Sequence, residues 1–274
     1  MHLFEPFKNL ISGWRARHDP LAHTPGTGHA AHPAGRLVIR PVETQVEVQE
    51  VWSLLTEQIT HGWDKCFPQP GVNFDDTFRP TLIGAWTQDG LVAGAFVMPD
   101  EQDARHYALS SDDGAQVIRS LIAITQGIAV HPAHRREGIG LQIKLYCNAW
   151  AADHDARIML SIITAHEALG LNHKAGHHVF PADVVPVIYI EDRADGKPDI
   201  CFTLGVRLQT EGISLWSLRI LGQTTGLTIA VGQHPASIDP RRHPDKVFWY
   251  DPLPRSDSQT IHDRHENQPL SNRN

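Results

Sequence analysis

The chain has 274 residues, 24 Lys+Arg against 31 Asp+Glu for a net charge of −7, and 41% hydrophobic residues. That supplies a packed core and excludes a wholly disordered chain, while the acidic balance argues against general nucleic-acid binding. No apolar run approaches the roughly 20 residues that cross a bilayer, no secretory signal opens the chain, and three scattered cysteines (Cys66, Cys147, Cys201) make neither a disulfide framework nor a zinc spacing. A reduced, cytoplasmic protein is expected.

In chain order, residues 1–17 carry an amphipathic helix pattern, with Leu3, Phe7, Leu10, Ile11 and Trp14 on one face. Residues 18–35 read as a flexible linker, rich in Pro, Gly and His. A short strand over Leu37–Arg40 is closed by Pro41, and a helix follows with Val48, Val51, Trp52, Leu55 and Ile59 on one side. Thr81–Trp86 and Leu91–Met98 form a hairpin signalled by Asp89-Gly90. Leu121–Val130 is a buried strand, followed by a helix on Ile139, Ile143, Tyr146, Cys147 and Trp150, then a strand at Ile158–Ile163. Thr164-x-x-Glu167 has capping-box spacing and opens a helix ending near Gly176. Val184–Ile190 and Ile200–Val206 complete an α+β pattern with a mixed sheet. Beyond it, Ile213–Leu221 is apolar and compatible with a helix, Leu227–Val231 and Lys246–Tyr250 read as strands, and 251–274 is a polar, flexible tail. The organisation expected is a helix at 1–17, a linker at 18–35, a domain at 36–206, an extension at 207–250 and a tail at 251–274.

The chemistry concentrates in Ile128-Ala-Val-His-Pro-Ala-His-Arg-Arg-Glu-Gly-Ile-Gly-Leu141. A strand enters a tight loop bearing Arg135, Arg136, Gly138 and Gly140, and the loop opens straight into a helix. Unpaired amides at a helix start carry partial positive charge, glycines let an anion approach the backbone, and two guanidinium groups add charge-assisted donors. Such a segment is suited to a phosphate-bearing ligand.

Arg135-Arg-Glu-Gly138-Ile-Gly140 after Val130-His-Pro132 resembles the coenzyme-A loop of the GNAT superfamily of N-acetyltransferases. The hairpin Asp89-Gly90-Leu-Val92-Ala-Gly94 is similar to that family's second-to-third-strand turn, and Ala168-x-x-Leu171-x-x-Lys174-x-Gly176 to its helix end. The resemblance spans about residues 37–206 and implies a GNAT-like acyl-CoA N-acyltransferase fold. It implies that the pantetheine arm of acetyl-CoA pairs with the backbone of Ile128, Ala129 and Val130, between a fourth strand that splays from a fifth. The pyrophosphate would lie on the amides of Arg135, Arg136, Gly138, Ile139 and Gly140. A substrate amine then attacks the thioester directly, with no metal and no covalent enzyme intermediate. The partner implied is an amine-bearing acceptor, and a homodimer is compatible with the extension.

The chain departs from the family pattern in three places, one of them His177, which stands where the family has a phenylalanine after the motif glycine. Asn172 stands where the family has the tyrosine that protonates the departing thiolate, and an amide releases no proton at neutral pH. Gln126 and Ile124 share the strand face that often carries an acidic base. Asn172 and Gln126 are the candidate catalytic positions. His131, His134, His166, His173, His177 and His178 flank the motifs and are the side chains able to move a proton instead. His173 and His177, four apart, have helical metal-ligand spacing, but the helix end near Gly176 separates them. Cys147 lies in a helix stripe and reads as core rather than nucleophile. The alternative to an enzyme is a non-catalytic acyl-CoA-binding or regulatory module.

Overall fold

A computed structural model describes residues 37–59, 79–182, 184–191, 200–204, 213–232 and 247–251. The helix expected over 1–17, the linker over 18–35, Cys66 and nearly all of the 251–274 tail lie outside these residues. The described chain is a mixed α/β fold whose packing separates two compact units, each assembled from several chain segments.

The first unit comprises residues up to Met98, Ile124–His154 and Glu167–Gly176. It opens with β1 (Val38–Pro41) and α1 (Gln45–Gln58). Thr44 caps α1 by accepting from the amide of Glu47, and the helix buries Val48, Val51, Leu54 and Leu55. Leu54 is an addition to the expected face. β2 (Thr81–Thr87) and β3 (Gly90–Pro99) are the expected hairpin, paired Thr87 to Gly90 at the turn and Thr81 to Val97 further on. Gly90 stands at φ 122°, the conformation for which a glycine was expected there. β1 pairs antiparallel with β2, and β4 (Ile122–Val130) lies beyond β3, giving the order β1-β2-β3-β4.

Two glycines opposite each other on β2 and β3 set the packing here. A Cβ on Gly84 would enter the Trp86 indole, and one on Gly94 would come 2.9 Å from Cγ1 of Val51. The core joins α1 to Val42, Leu82, Phe96, Met98 and Ala129, with Trp52, Ile59, Trp86 and Leu91 around it. α4 (Ile139–Asp153) follows β4, and α5 (His166–Lys174) ends at Gly176, whose φ of 78° terminates it.

The second unit holds two short helices that are absent from the element order expected above. α2 (Glu101–Ala108) is capped by Asp100 and α3 (Asp112–Leu121) by Ser111, whose hydroxyl accepts from the amide of Gly114. α3 passes directly into β4, so the strand begins at Ile122 rather than Leu121.

In the same unit β5 (Ile158–Ile163) pairs antiparallel with β9 (Leu215–Ile220), which also pairs with the two-residue β6 (His178–Val179). Ile213–Leu221, compatible with a helix by composition, is therefore a strand. Trp216, Ser217 and Leu218 are buried in succession, so both faces of β9 are covered at its centre. A separate four-stranded sheet runs β11-β10-β7-β8, from β7 (Val185–Ile190), β8 (Ile200–Thr203), β10 (Leu227–Gly232) and β11 (Val247–Asp251). Strands on both sides of residue 206 thus share one sheet, since β10 pairs with β7 along six residue pairs. No helix among the described residues is long and apolar enough to cross a membrane.

Candidate anion-binding loop

The loop grows out of the end of β4. The amide of His131 donates to the carbonyl of Val92 on β3 at 2.8 Å, closing the last rung of the ladder. Pro132 then starts a single 3-10 turn, Pro132–His134, and Arg135 leaves it in an extended conformation. Arg136 at φ 71° and Gly138 at φ 82° reverse the chain within three residues. α4 begins at the next residue, and Gly138, its cap position, supplies no side-chain acceptor.

The carbonyl of Gly138 accepts from the amides of Leu141 and Gln142, so the amides of Ile139 and Gly140 precede the first intrahelical bonds. They sit at the positive end of a 15-residue helix. Residues 135–138 are exposed, so their polar groups meet solvent. At Gly138 a Cβ would touch nothing within 4 Å, so the glycine serves the backbone angle and leaves open space above the turn. At Gly140 a Cβ would lie 3.5 Å from Cγ2 of Val130, an ordinary contact.

Arg135 is held in place: Nε donates to the carbonyl of Val130 at 3.3 Å and Nη2 to Oε1 of Gln58 at 2.6 Å. Glu137 partly offsets the two guanidinium charges, and its Oε2 lies 3.4 Å from Nδ1 of His134. His131 turns its own Nδ1 toward the amide of Ala133 at 3.4 Å. Uncapped amides, an open left-handed glycine and two exposed arginines form a donor set that fits a diphosphate.

The other expected site residues fall as follows. Ile128 and Val130 are half-buried on β4, Ala129 is buried, and Gln126 is half-buried on the same strand. Asn172 is buried in α5, and its Nδ2 donates to the carbonyl of Ala168 one turn back at 2.8 Å. His166 and His173 are exposed on α5. In the second unit His177 is buried, with Nδ1 3.0 Å from the Ser217 hydroxyl, and His178 packs on Phe180 and Phe248 at ring distances of 4.6 and 4.5 Å. Cys147 is fully buried on α4, and burial pushes its thiol up to about 12. It is a core residue, as its place in the helix stripe implied.

Three residues around the loop escaped the sequence pattern. Gln58 holds Arg135 from the far end of α1, a pairing across 77 residues with no local signal. Lys144 and Asn148 are buried on α4 beside Ile143, Cys147 and Ala151, outside the apolar stripe that the sequence shows. Lys144 Nζ donates to the hydroxyl of buried Thr125 on β4 at 3.1 Å.

No protein-family model and no curated protein sequence matches the chain. Among solved structures, the chain is similar to the ribosomal-protein-S18-alanine N-acetyltransferase of Escherichia coli at 12% identity and a TM-score of 0.39, over 68% of this chain and 93% of that one. It is similar to a GNAT superfamily phosphinothricin acetyltransferase from Sinorhizobium meliloti, solved with acetyl-CoA, at 12% identity and a TM-score of 0.43, over 78% and 99%. A diaminobutyrate acetyltransferase from Paenibacillus lautus, solved with diaminobutyric acid and coenzyme A, gives 16% and 0.40, over 67% and 94%. In its three motifs and the chain order of the elements that bear them, this protein resembles the GNAT superfamily of N-acetyltransferases.

Proposed function

We propose that the protein is an acetyl-CoA-dependent N-acyltransferase acting on a primary amine, with the pyrophosphate of the cosubstrate on the loop from Arg135 to Gly140. The observation that carries this reading is the start of α4. Gly138 at φ 82° opens the turn, the amides of Ile139 and Gly140 point out of the helix start, and Arg135 is already anchored beside them. The coenzyme-A motif falls on these same residues.

The backbone of Ile128, Ala129 and Val130 leads into that loop and is assigned to the pantetheine arm. Binding both substrates together makes the attack of amine nitrogen on thioester carbon effectively intramolecular, and a strand amide polarises the carbonyl oxygen. The C–N bond forms, the C–S bond breaks, and the acetyl group leaves with the amine while coenzyme A departs as its thiol. The amine loses one proton and the thiolate gains one. Gln126 and Asn172 stand at the positions assigned to this proton traffic, and neither amide can perform it. Their role is to orient, so the proton passes through water or a nearby histidine.

A second reading is favoured by Asn172, whose Nδ2 already donates to its own helix at Ala168. On that reading the chain binds acyl-CoA without turning it over. Release of free thiol from acetyl-CoA across a panel of small polyamines, aminoglycosides, amino acids and lysine peptides distinguishes the two. Amine-dependent release supports the transferase, and binding without release by any amine supports the binding module.

A further inference from the structure

The strand, loop and helix that would hold the cosubstrate form a hairpin with one open end. β4 runs up to the loop and α4 runs back from it, so nothing in the loop itself fixes how the two arms lie against each other lower down. Lys144 sits six residues past Gly138, about 9 Å along the helix axis. Thr125 sits five residues before Val130, about 16 Å along the strand. The bond from Nζ of Lys144 to Oγ1 of Thr125, at 3.1 Å, ties the two arms together below the loop.

Both residues are buried, Lys144 to 1% and Thr125 to 6% exposure, and Asn148, one turn further along the same helix face, is buried too. An ammonium in such a place costs more than an apolar side chain of equal size, so stability explains its presence poorly. Fixing register is the best-attested use of a buried polar group, because only one alignment of the two elements satisfies it. The ligand assigned to this hairpin needs such alignment. Its diphosphate addresses the loop while its pantetheine arm addresses the strand, and the two must be offered at a fixed separation.

We propose that Lys144 is a positioning residue, which through Thr125 sets α4 against β4 so that the loop amides and the backbone of Ile128–Val130 engage one ligand at once. This rests on the reading of the loop as a coenzyme-A site. The residue touches no ligand; it acts through the relative placement of two elements that do.

Calorimetric titration of coenzyme A and of ADP, which carries the diphosphate but no pantetheine arm, tests it in the full chain. For the wild type, Lys144→Met, Thr125→Val and the double variant, the expected results are these. Each single variant binds coenzyme A at least fivefold more weakly, ADP affinity stays within twofold, and the double variant loses no more than the worse single one. Unchanged coenzyme-A affinity, a parallel loss toward ADP as a merely structural role would give, or losses that multiply would each overturn the proposal. A wild-type chain that binds no coenzyme A would overturn the loop reading itself, and the wild-type titration alone reveals that case.

Discussion

Nη2 of Arg135 donates to Oε1 of Gln58 at 2.6 Å while Nε of the same guanidinium donates to the carbonyl of Val130 at 3.3 Å. The side chain is therefore parked across the root of the loop, between the last residue of α1 and the last of β4. A guanidinium has five donors in a rigid fork, and these two bonds hold the fork in one orientation. Pre-placing it lowers the ordering cost of binding an anion. Arg135→Ala should weaken coenzyme-A binding about tenfold, as the loss of a charged hydrogen bond implies. Gln58→Ala, which removes only the anchor, should weaken it about two- to threefold, an entropy-sized effect. Calorimetry on both variants checks the ratio.

The two glycines of the loop should separate stability from binding. Gly138 holds φ 82°, which costs an alanine about 1–2 kcal/mol, so Gly138→Ala should lower the unfolding midpoint. Gly140→Ala would meet only Cγ2 of Val130 at 3.5 Å, and its stability should stay within about 0.5 kcal/mol of the wild type. Its added methyl narrows the approach to the helix-start amides, so coenzyme-A affinity should still fall. Thermal unfolding and titration on the same samples read the two effects apart.

Acid stability of the first unit depends on an ion pair at the start of α1. The Arg40 guanidinium lies 4.4 Å over the Trp86 ring and bonds both carboxylate oxygens of Glu47, at 2.7 and 3.1 Å. Glu47 also accepts from the amide of Glu43, and its own amide donates to the hydroxyl of Thr44, the cap of α1. The Arg40 hydrogen bond holds its carboxyl down at about 2. A carboxyl with a depressed folded value adds stability above its ordinary range, and that stability is lost as pH falls from about 4.5 to about 2. Glu47→Gln should thus lower the unfolding midpoint at pH 7, and the difference should shrink steadily as pH falls toward 2.

Asp100 works in the opposite sense. It is fully buried as the cap of α2, its Oδ1 accepts from the amide of Asp103, and its Oδ2 has no partner among the described residues. Burial, then the neighbouring Asp103, raises its carboxyl well above the usual carboxylate range. A carboxyl raised on folding gives its full contribution at low pH and costs stability as pH climbs from the ordinary carboxylate range through the raised value. Asp100→Asn keeps the accepting oxygen and cannot ionise. The difference in unfolding midpoint, variant minus wild type, should grow between pH 4 and pH 8, and a flat difference would contradict the assignment.

Local signals carried much of this architecture. Asp89-Gly90 names its hairpin because a turn is decided by four residues, and the glycine-bearing start of α4 is equally local. α2 was silent because Glu101–Ala108 has too few apolar residues to show a period, with only Ala104 buried. β9 was ambiguous because its apolar residues satisfy both periods. The pairing of β7 with β10 joins residues about forty apart, and no short-range pattern encodes a partner at that distance. The loop residues were legible as a set, but their supports were not. Gln58 and Lys144 look like surface residues in the sequence, and only packing reveals that one anchors an arginine and the other is buried against Thr125.

The most direct test of the central assignment is titration of acetyl-CoA against the wild type and against a chain carrying Arg135→Glu with Gly138→Asp. Circular dichroism of both chains shows whether the fold is retained. The wild type should bind, and the variant should bind at least a hundredfold more weakly, because two negative groups then face the diphosphate at the helix start. Undiminished binding by a folded variant, or no binding by the wild type, would contradict the assignment.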